Sequence, residues 1–158
     1  VGPDVRGEIC VKGPNIMKGY WNRPEATAKA IDAEGWFHSG DVGYLDDEGY
    51  LYICDRLKDM VISGGENIYP AEVESVLFEH PAIAEVAVIG LPDDKWGEAV
   101  TAVAALKAEE TLTLEELRSF AESKLARYKL PLKLHVVPQL PRNPAGKVLK
   151  FQLREQLS

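Results

Sequence analysis

The chain has 158 residues, 46% of them hydrophobic, enough for one domain or two small ones with real cores. Its formal net charge is −7, and its charged residues (27%) are interspersed with apolar runs. That pattern excludes a disordered polyelectrolyte and argues against a nucleic-acid partner, because phosphate-backbone binding needs a Lys/Arg-rich surface. No apolar run approaches the ~20 residues that cross a bilayer, so no integral membrane segment is expected. Cys10 and Cys54 have neither CxxC spacing nor a His close in sequence, so no metal site is expected; a disulfide between them is one reading, and two buried free thiols the better one. With no signal pattern and Val1-Gly2-Pro3 at the start, a fragment of a cytoplasmic protein is expected.

In chain order, residues 5–12 read as a strand stopped by Gly13-Pro14-Asn15. Pro24 opens a helix through about Ile31, placed near the first turn where its missing N–H costs nothing. Asp46-Asp47-Glu48-Gly49 forms a polar turn between 42–45 and 50–54, a hairpin signal. Residues 58–63 and 67–69 flank Gly64-Gly65 as a second small hairpin. Pro70 begins a helix with Val73, Val76 and Leu77 at i, i+3, i+4. Residues 83–91 and 99–106 read as strands around a Pro92-Asp93-Asp94 turn and Gly97. Thr113-Leu114-Glu115-Glu116 resembles a capped helix start, and Leu114, Leu117, Ala121, Leu125 and Tyr128 share one face of the helix that follows. Residues 133–137 form a last strand, and Pro141–Gly146 is a loop before a helix from Val148. The mixture is α+β rather than a repeating βαβ array.

Three segments are too rich in Gly, charge and aromatic residues for ordinary loops. In Trp36-Phe37-His38-Ser39-Gly40-Asp41, an Asp directly after Gly presents a carboxylate suited to a sugar diol, or else caps a local Asx-turn. Asp55-Arg56-Leu57-Lys58-Asp59 is either a solvated charged face or a site, and Gly64-Gly65 serves a tight hairpin or close backbone approach to a ligand. In Pro141-Arg142-Asn143-Pro144-Ala145-Gly146-Lys147, a stiff loop ends on a Lys able to reach an anion as a point charge, although GxxxxGK[ST] is absent.

Their order and spacing resemble the adenylate-forming superfamily of acyl- and aryl-CoA synthetases, nonribosomal adenylation domains and beetle luciferases. The resemblance runs from Gly7-Glu8-Ile9 and Gly19-Tyr20-Trp21 to Lys147. It is most specific in WFHSGDVGYLDDEGYLYICDRLKDMVISGGENIYPAEVE (36–74), and PRNPAGKV (141–148) supports it independently. The wording of 63–70 is closest to bacterial fatty-acyl and aryl-acid CoA ligases. The resemblance implies that residues 1–57 are the β-rich, barrel-like end of a large adenylating domain. Residues 58–158 would be a mobile lid, α+β, with a hairpin and a three-stranded sheet flanked by helices.

It further implies that Asp41 binds the ATP ribose hydroxyls with help from Arg56, and that Lys58 is the hinge. Lys147 would bridge the substrate carboxylate and the α-phosphate. Carboxylate and triphosphate repel each other, so the in-line transition state needs a cation between them. After lid rotation, Gly64 and Gly65 would line the pantetheine channel, with Trp96 on the pantetheine arm; a buried core Trp is the other reading of Trp96. Tyr128 and Lys129 match a stretch near the CoA nucleotide, where some relatives carry a basic residue at the position of Leu130. ATP, Mg2+ and CoA are the implied ligands, the first two held mainly by segments upstream of this chain. The implied partners are a carboxylic acid and CoA, with homo-oligomerisation left open. The isolated chain is expected to be inactive. Two other readings stand beside the ligase: an adenylation domain charging a carrier-protein thiol, and a non-catalytic module that borrowed the fold.

Overall fold

The computed structural model describes residues 2–158, and the chain divides into two units, one ending at Lys58 and the other running from Asp59 to Ser158. Each is built around its own sheet.

The first unit comprises β1 (Gly7–Val11), α1 (Pro24–Ala30), β2 (Phe37–Leu45) and β3 (Leu51–Arg56). The strands form an antiparallel sheet in the order β1-β2-β3. Asp46 makes the β2–β3 turn: its Oδ1 accepts from the amides of Glu48 (3.0 Å) and Tyr50 (2.8 Å), while Gly49 takes the positive φ. Tyr44 and Tyr52 sit opposite one another and stack with centroids 5.2 Å apart. Val42 is the one hydrophobic residue of this unit to reach full burial among those described. Cys10 is exposed rather than buried, because β1 is an edge strand with cover on only one side. Both cysteines are free, and Cys54 is half-buried.

A short 3-10 turn (Leu57–Asp59) leads into the second unit. It contains β4 (Val61–Ser63), β5 (Glu66–Ile68), α2 (Pro70–Phe78), β6 (Ile83–Asp93), β7 (Gly97–Leu106), α3 (Leu114–Ala121), β8 (Lys133–Val136) and α4 (Lys150–Leu157). The expected hairpin and three-stranded sheet are one five-stranded sheet, joined where Ser63 of β4 pairs with Gly97 at the start of β7. Further along, β7 pairs antiparallel with β6 and parallel with β8.

Alternation along β6 and β7 gives this sheet two apolar faces. Val88, Val100, Ala102 and Ala104 look toward Val73 and Leu77 of α2 and Leu117 and Ala121 of α3. Ala87, Ile89, Leu91 and Val103 look toward Leu140 and toward Leu153 of α4. The two helical layers therefore lie on opposite faces.

Thr113 and Glu116 close a capping box. The Thr113 Oγ1 accepts from the Glu116 amide (3.2 Å), and the Glu116 carboxylate accepts from the Thr113 amide (2.8 Å). The helix ends at Ala121 instead of continuing to Tyr128. Leu125 still reaches the core, but Ala126 turns extended and Arg127–Lys129 is a 3-10 turn that leaves Leu130 extended ahead of Pro131. The last helix begins at Lys150, because Val148 pairs with Arg142 and Leu149 stays out of the helical region. Among the described residues no helix is long and apolar enough to cross a membrane.

Candidate active site

Asp41 and Arg56 are register partners on β2 and β3, so their side chains emerge together from one face of a strand pair. The Arg56 Nε lies 2.7 Å from the Asp41 Oδ1, and the Asp41 amide donates to the Ser39 Oγ (3.0 Å). A carboxylate held by one guanidinium nitrogen keeps its second oxygen for a ligand hydroxyl. Gly40, at φ +72, turns the strand just before it.

Behind this edge lies a polar strut that sequence spacing did not reveal. Glu8 on β1 accepts from the Gly40 amide (3.1 Å) and meets the His38 Nδ1 at 2.8 Å. The His38 Nε2 faces Asp32 at 3.5 Å. The Glu8 and Asp32 carboxylates raise the His38 pKa above 6.5, and the Trp36 amide, followed by other bonds including that of His38, lowers that of Asp32. Cys10, cross-strand from His38, brings its Sγ to 3.5 Å from the Nδ1. Sequence spacing did not show this neighbour: the two lie 28 residues apart and are joined only by strand register. Desolvation, then the Glu8 charge, push the Cys10 thiol pKa up.

Glu8, Cys10 and His38 place one donor atom each within 4.8 Å of one another, the one such grouping of His, Cys, Asp or Glu among the described residues. Its nitrogen and sulfur donors do not fit Mg2+, which takes oxygen ligands in an octahedron. Among the described residues this grouping therefore makes no cage for Mg2+, and no step is derived through it.

In the second unit, the β4–β5 turn is the Gly64-Gly65 pair, both at positive φ. The Gly64 amide donates to the Trp96 carbonyl (2.8 Å), and the Trp96 ring lies against the glycine. Trp96 is 40% exposed, which rules out the core reading. Asp93 fixes its backbone, the Oδ1 accepting from the amides of Lys95 and Trp96 (both 3.1 Å). Beside it opens a cavity of about 420 Å3 lined by Ser63, Trp96, Arg118, Arg127, Tyr128 and Leu132. Sequence reading had singled out Trp96 and Tyr128 but missed Arg118 and Arg127. Arg118 is presented by α3 and donates to the Pro131 carbonyl; Arg127 comes from the 3-10 turn that replaces the expected end of the helix. Lys129 does not line this cavity: its ammonium pairs with Glu72 of α2 and its side chain is only 12% exposed. Leu130, where some relatives were expected to be basic, is buried in the core.

The loop before α4 is a closed turn. The amides of Asn143 and Leu149 bond the carbonyls of Lys147 (2.9 Å) and Pro141 (2.8 Å), and the Lys147 amide donates to the Asn143 Oδ1 (2.8 Å). Arg142 donates to the Gly146 carbonyl (2.6 Å) and pairs with Glu85 of β6 (3.1 Å). Gly146 supplies φ +80. The Lys147 backbone is thereby held at two points, its amide and its carbonyl, while its side chain is exposed and its ammonium makes no ion pair or hydrogen bond among the described residues. Lys58, in the 3-10 turn at the junction of the units, is likewise exposed.

Residues 72–147 match the family described as the AMP-binding enzyme C-terminal domain. The chain is 55% identical over 152 residues to the long-chain-fatty-acid–CoA ligase FadD13 of Mycobacterium tuberculosis, covering 96% of this chain and 30% of that protein. To the 2-succinylbenzoate–CoA ligase of Geobacillus sp. it is 50% identical over 153 residues, covering 97% of this chain and 31% of the relative. Among solved structures, the o-succinylbenzoate CoA synthetase (MenE) of Bacillus subtilis, in complex with its acyl-adenylate intermediate, superposes with a TM-score of 0.89 at 49% identity. That match covers 98% of this chain and 31% of MenE, so the chain spans under a third of the length of the relatives it matches. At residues 72–147 the chain thus matches the AMP-binding enzyme C-terminal domain, and along nearly its whole length it is similar to acid–CoA ligases.

Proposed function

We propose that this chain forms the C-terminal part of an AMP-forming acid–CoA ligase. The parent would join a carboxylic acid to the ATP α-phosphate, expelling pyrophosphate, and then pass the acyl group to the CoA sulfur, expelling AMP. The observation that carries this reading is the cavity at Trp96 and Tyr128. An aromatic wall beside two guanidinium groups matches a ligand with a slender thiol arm and a phosphorylated nucleotide. A ligase acting on fatty acids is favoured by the 55% identity to a long-chain-fatty-acid–CoA ligase. The free thiols accord with a cytoplasmic setting.

In the first step, Asp41 accepts hydrogen bonds from the ribose hydroxyls, steadied by Arg56. Lys147 places its ammonium between the acid carboxylate and the α-phosphate, screening their repulsion as the carboxylate oxygen forms its bond to phosphorus and pyrophosphate leaves. A rigid backbone under a free ammonium suits a group that must arrive at one point and then withdraw. In the second step, the lid has turned about Lys58 and the Gly64-Gly65 turn edges the thiol channel. The sulfur then attacks the acyl carbon, the bond to the phosphate oxygen breaks, and the thiol proton passes to solvent. Trp96 and Tyr128 wall the arm, Arg118 and Arg127 face its phosphates, and Lys129 braces the turn from behind through Glu72.

The test is the full-length parent and its Lys147→Ala variant, followed separately for pyrophosphate exchange and for thioester formation from preformed acyl-adenylate. Loss of exchange by about 100-fold or more with thioester formation retained is expected, the scale on which a single transition-state donor acts. A variant that exchanges at the wild-type rate, or a parent that forms no thioester with any acid, ends the reading.

A further inference from the structure

Arg154, on the second turn of α4, places its Nη2 3.2 Å from the Oδ1 of Asp59. The two side chains are 29% and 14% exposed, more sheltered than most of the ion pairs in the chain. Asp59 is the first residue of the second unit and the last of the 3-10 turn that contains Lys58. At the first turn of the same helix, Lys150 pairs with Glu74 of α2 (2.7 Å), and Glu74 also accepts from the Val88 amide in the central sheet (2.7 Å). Helix α4 follows the Lys147 loop directly, with the Leu149 amide bonded to the Pro141 carbonyl. It is therefore bound at one end to the body of its unit and at the other to the residue where that unit begins.

We infer that Arg154 is a positioning residue for the Lys147 step: by clamping Asp59, it makes the edge of the pivot and the Lys147 loop parts of one body. The inference rests on the lid reading proposed above. Rotation about a backbone carries a side chain to a defined point only if everything beyond the pivot is stiff. With the clamp in place, flexing stops at Lys58, and the arm from there to Lys147 runs through Asp59, Arg154 and α4. Without it, Asp59 and the residues up to β4 join the flexible segment, and the ammonium reaches its position with a wider spread. The thiol cavity is built differently. Its lining comes from β4, the Trp96 turn, α3, the Arg127–Lys129 turn and Leu132, and α3 packs on the face of the sheet opposite α4. Loss of the clamp should therefore weigh on adenylation and not on thioester formation.

The experiment uses the full-length parent with Arg154→Met and Asp59→Asn, the second keeping the side-chain volume, and Lys147→Ala as reference. Both clamp variants are expected to lower kcat for pyrophosphate exchange about tenfold with KM for ATP unchanged, a small part of what an ångström of misplacement costs. Thioester formation from preformed adenylate should stay within about twofold, and Arg154→Lys should recover most of the exchange. A uniform fall in both half-reactions together with Tm would mean that the pair is only structural and would overturn the inference. So would full exchange activity in both clamp variants. If Lys147→Ala itself exchanges normally, the lid reading falls and takes the clamp with it; if Lys147→Ala is inactive and Arg154→Met is not, the clamp alone is wrong.

Discussion

Trp96 occupies the space that a side chain on Gly64 would need. A Cβ on Gly64 would come within 2.9 Å of the Trp96 Cε3, and the glycine sits at φ +61, in the left-handed region. Both facts count against any substitution there. Gly64→Ala is expected to destabilise the second unit by about 1–2 kcal/mol through its backbone conformation alone. In the parent it should also displace the indole, slowing thioester formation while leaving pyrophosphate exchange intact. Thermal unfolding and the two half-reactions measured on the same protein check both parts. An unaltered thioester rate would remove the glycine turn from the acceptor channel.

Arg127 owes its place in the cavity to the 3-10 turn that interrupts the expected helix. Arg127→Met keeps the stem and removes the charge. Its expected effect in the parent is a rise of about tenfold in KM for CoA, roughly the value of one charge-assisted hydrogen bond. The KM for ATP and the rate of exchange should not change. Steady-state kinetics with CoA and with a phosphate-free pantetheine thiol provide the check, because only CoA should feel the substitution.

The strut behind Asp41 makes the first unit sensitive to pH. His38 has its pKa raised above 6.5 by Glu8 and Asp32, so its stabilising contribution is complete below 6.5 and is lost as pH rises through the raised folded value. Asp32, lowered from 3.8, contributes above 3.8 and loses that contribution only as pH falls through its lower folded value. Of these two groups only His38 changes charge as pH rises from 6.5, and its contribution to wild-type Tm should decline from there upward. His38→Gln should flatten the decline, as thermal scans at several pH values would reveal. Parallel curves for the two proteins would show that the strut is not charged.

Thr113 and Glu116 cap α3 and do not line the cavity. Thr113→Ala removes the acceptor for the Glu116 amide and should cost about 1 kcal/mol, visible as a lower denaturation midpoint with unchanged slope. Both half-reactions of the parent should keep their rates at temperatures well below unfolding.

Much of this was legible in the sequence because it is local. The Asp46 turn, the Thr113 cap and the Gly64-Gly65 reversal each depend on a few residues close in the chain, and each formed where turn chemistry placed it. What the sequence concealed was decided at a distance. His38 meets Cys10 and Glu8 through strand register. Lys129, next to Tyr128 in sequence, turns the other way because Glu72 lies 57 residues back on α2. The periodicity that carried the α3 pattern on to Tyr128 was a true record of burial as far as Leu125. It failed as a record of helix, since Pro131 holds Leu130 extended and the chain must leave the α conformation before it. Arg118 and Arg127 escaped notice for a related reason: only the broken helix brings them to one cavity.

On the proposed reading, the sheet of the second unit would carry different work on its two sides. Arg118 reaches the cavity from the α2–α3 layer, and the Lys147 loop runs into α4 on the opposite face. A lineage drifting toward another thiol, or toward an acceptor that is not a thiol, could rewrite one side while the other went on activating acids unchanged. On the proposed reading, acceptor choice and acid activation would be, in that sense, separately heritable traits of a single small domain.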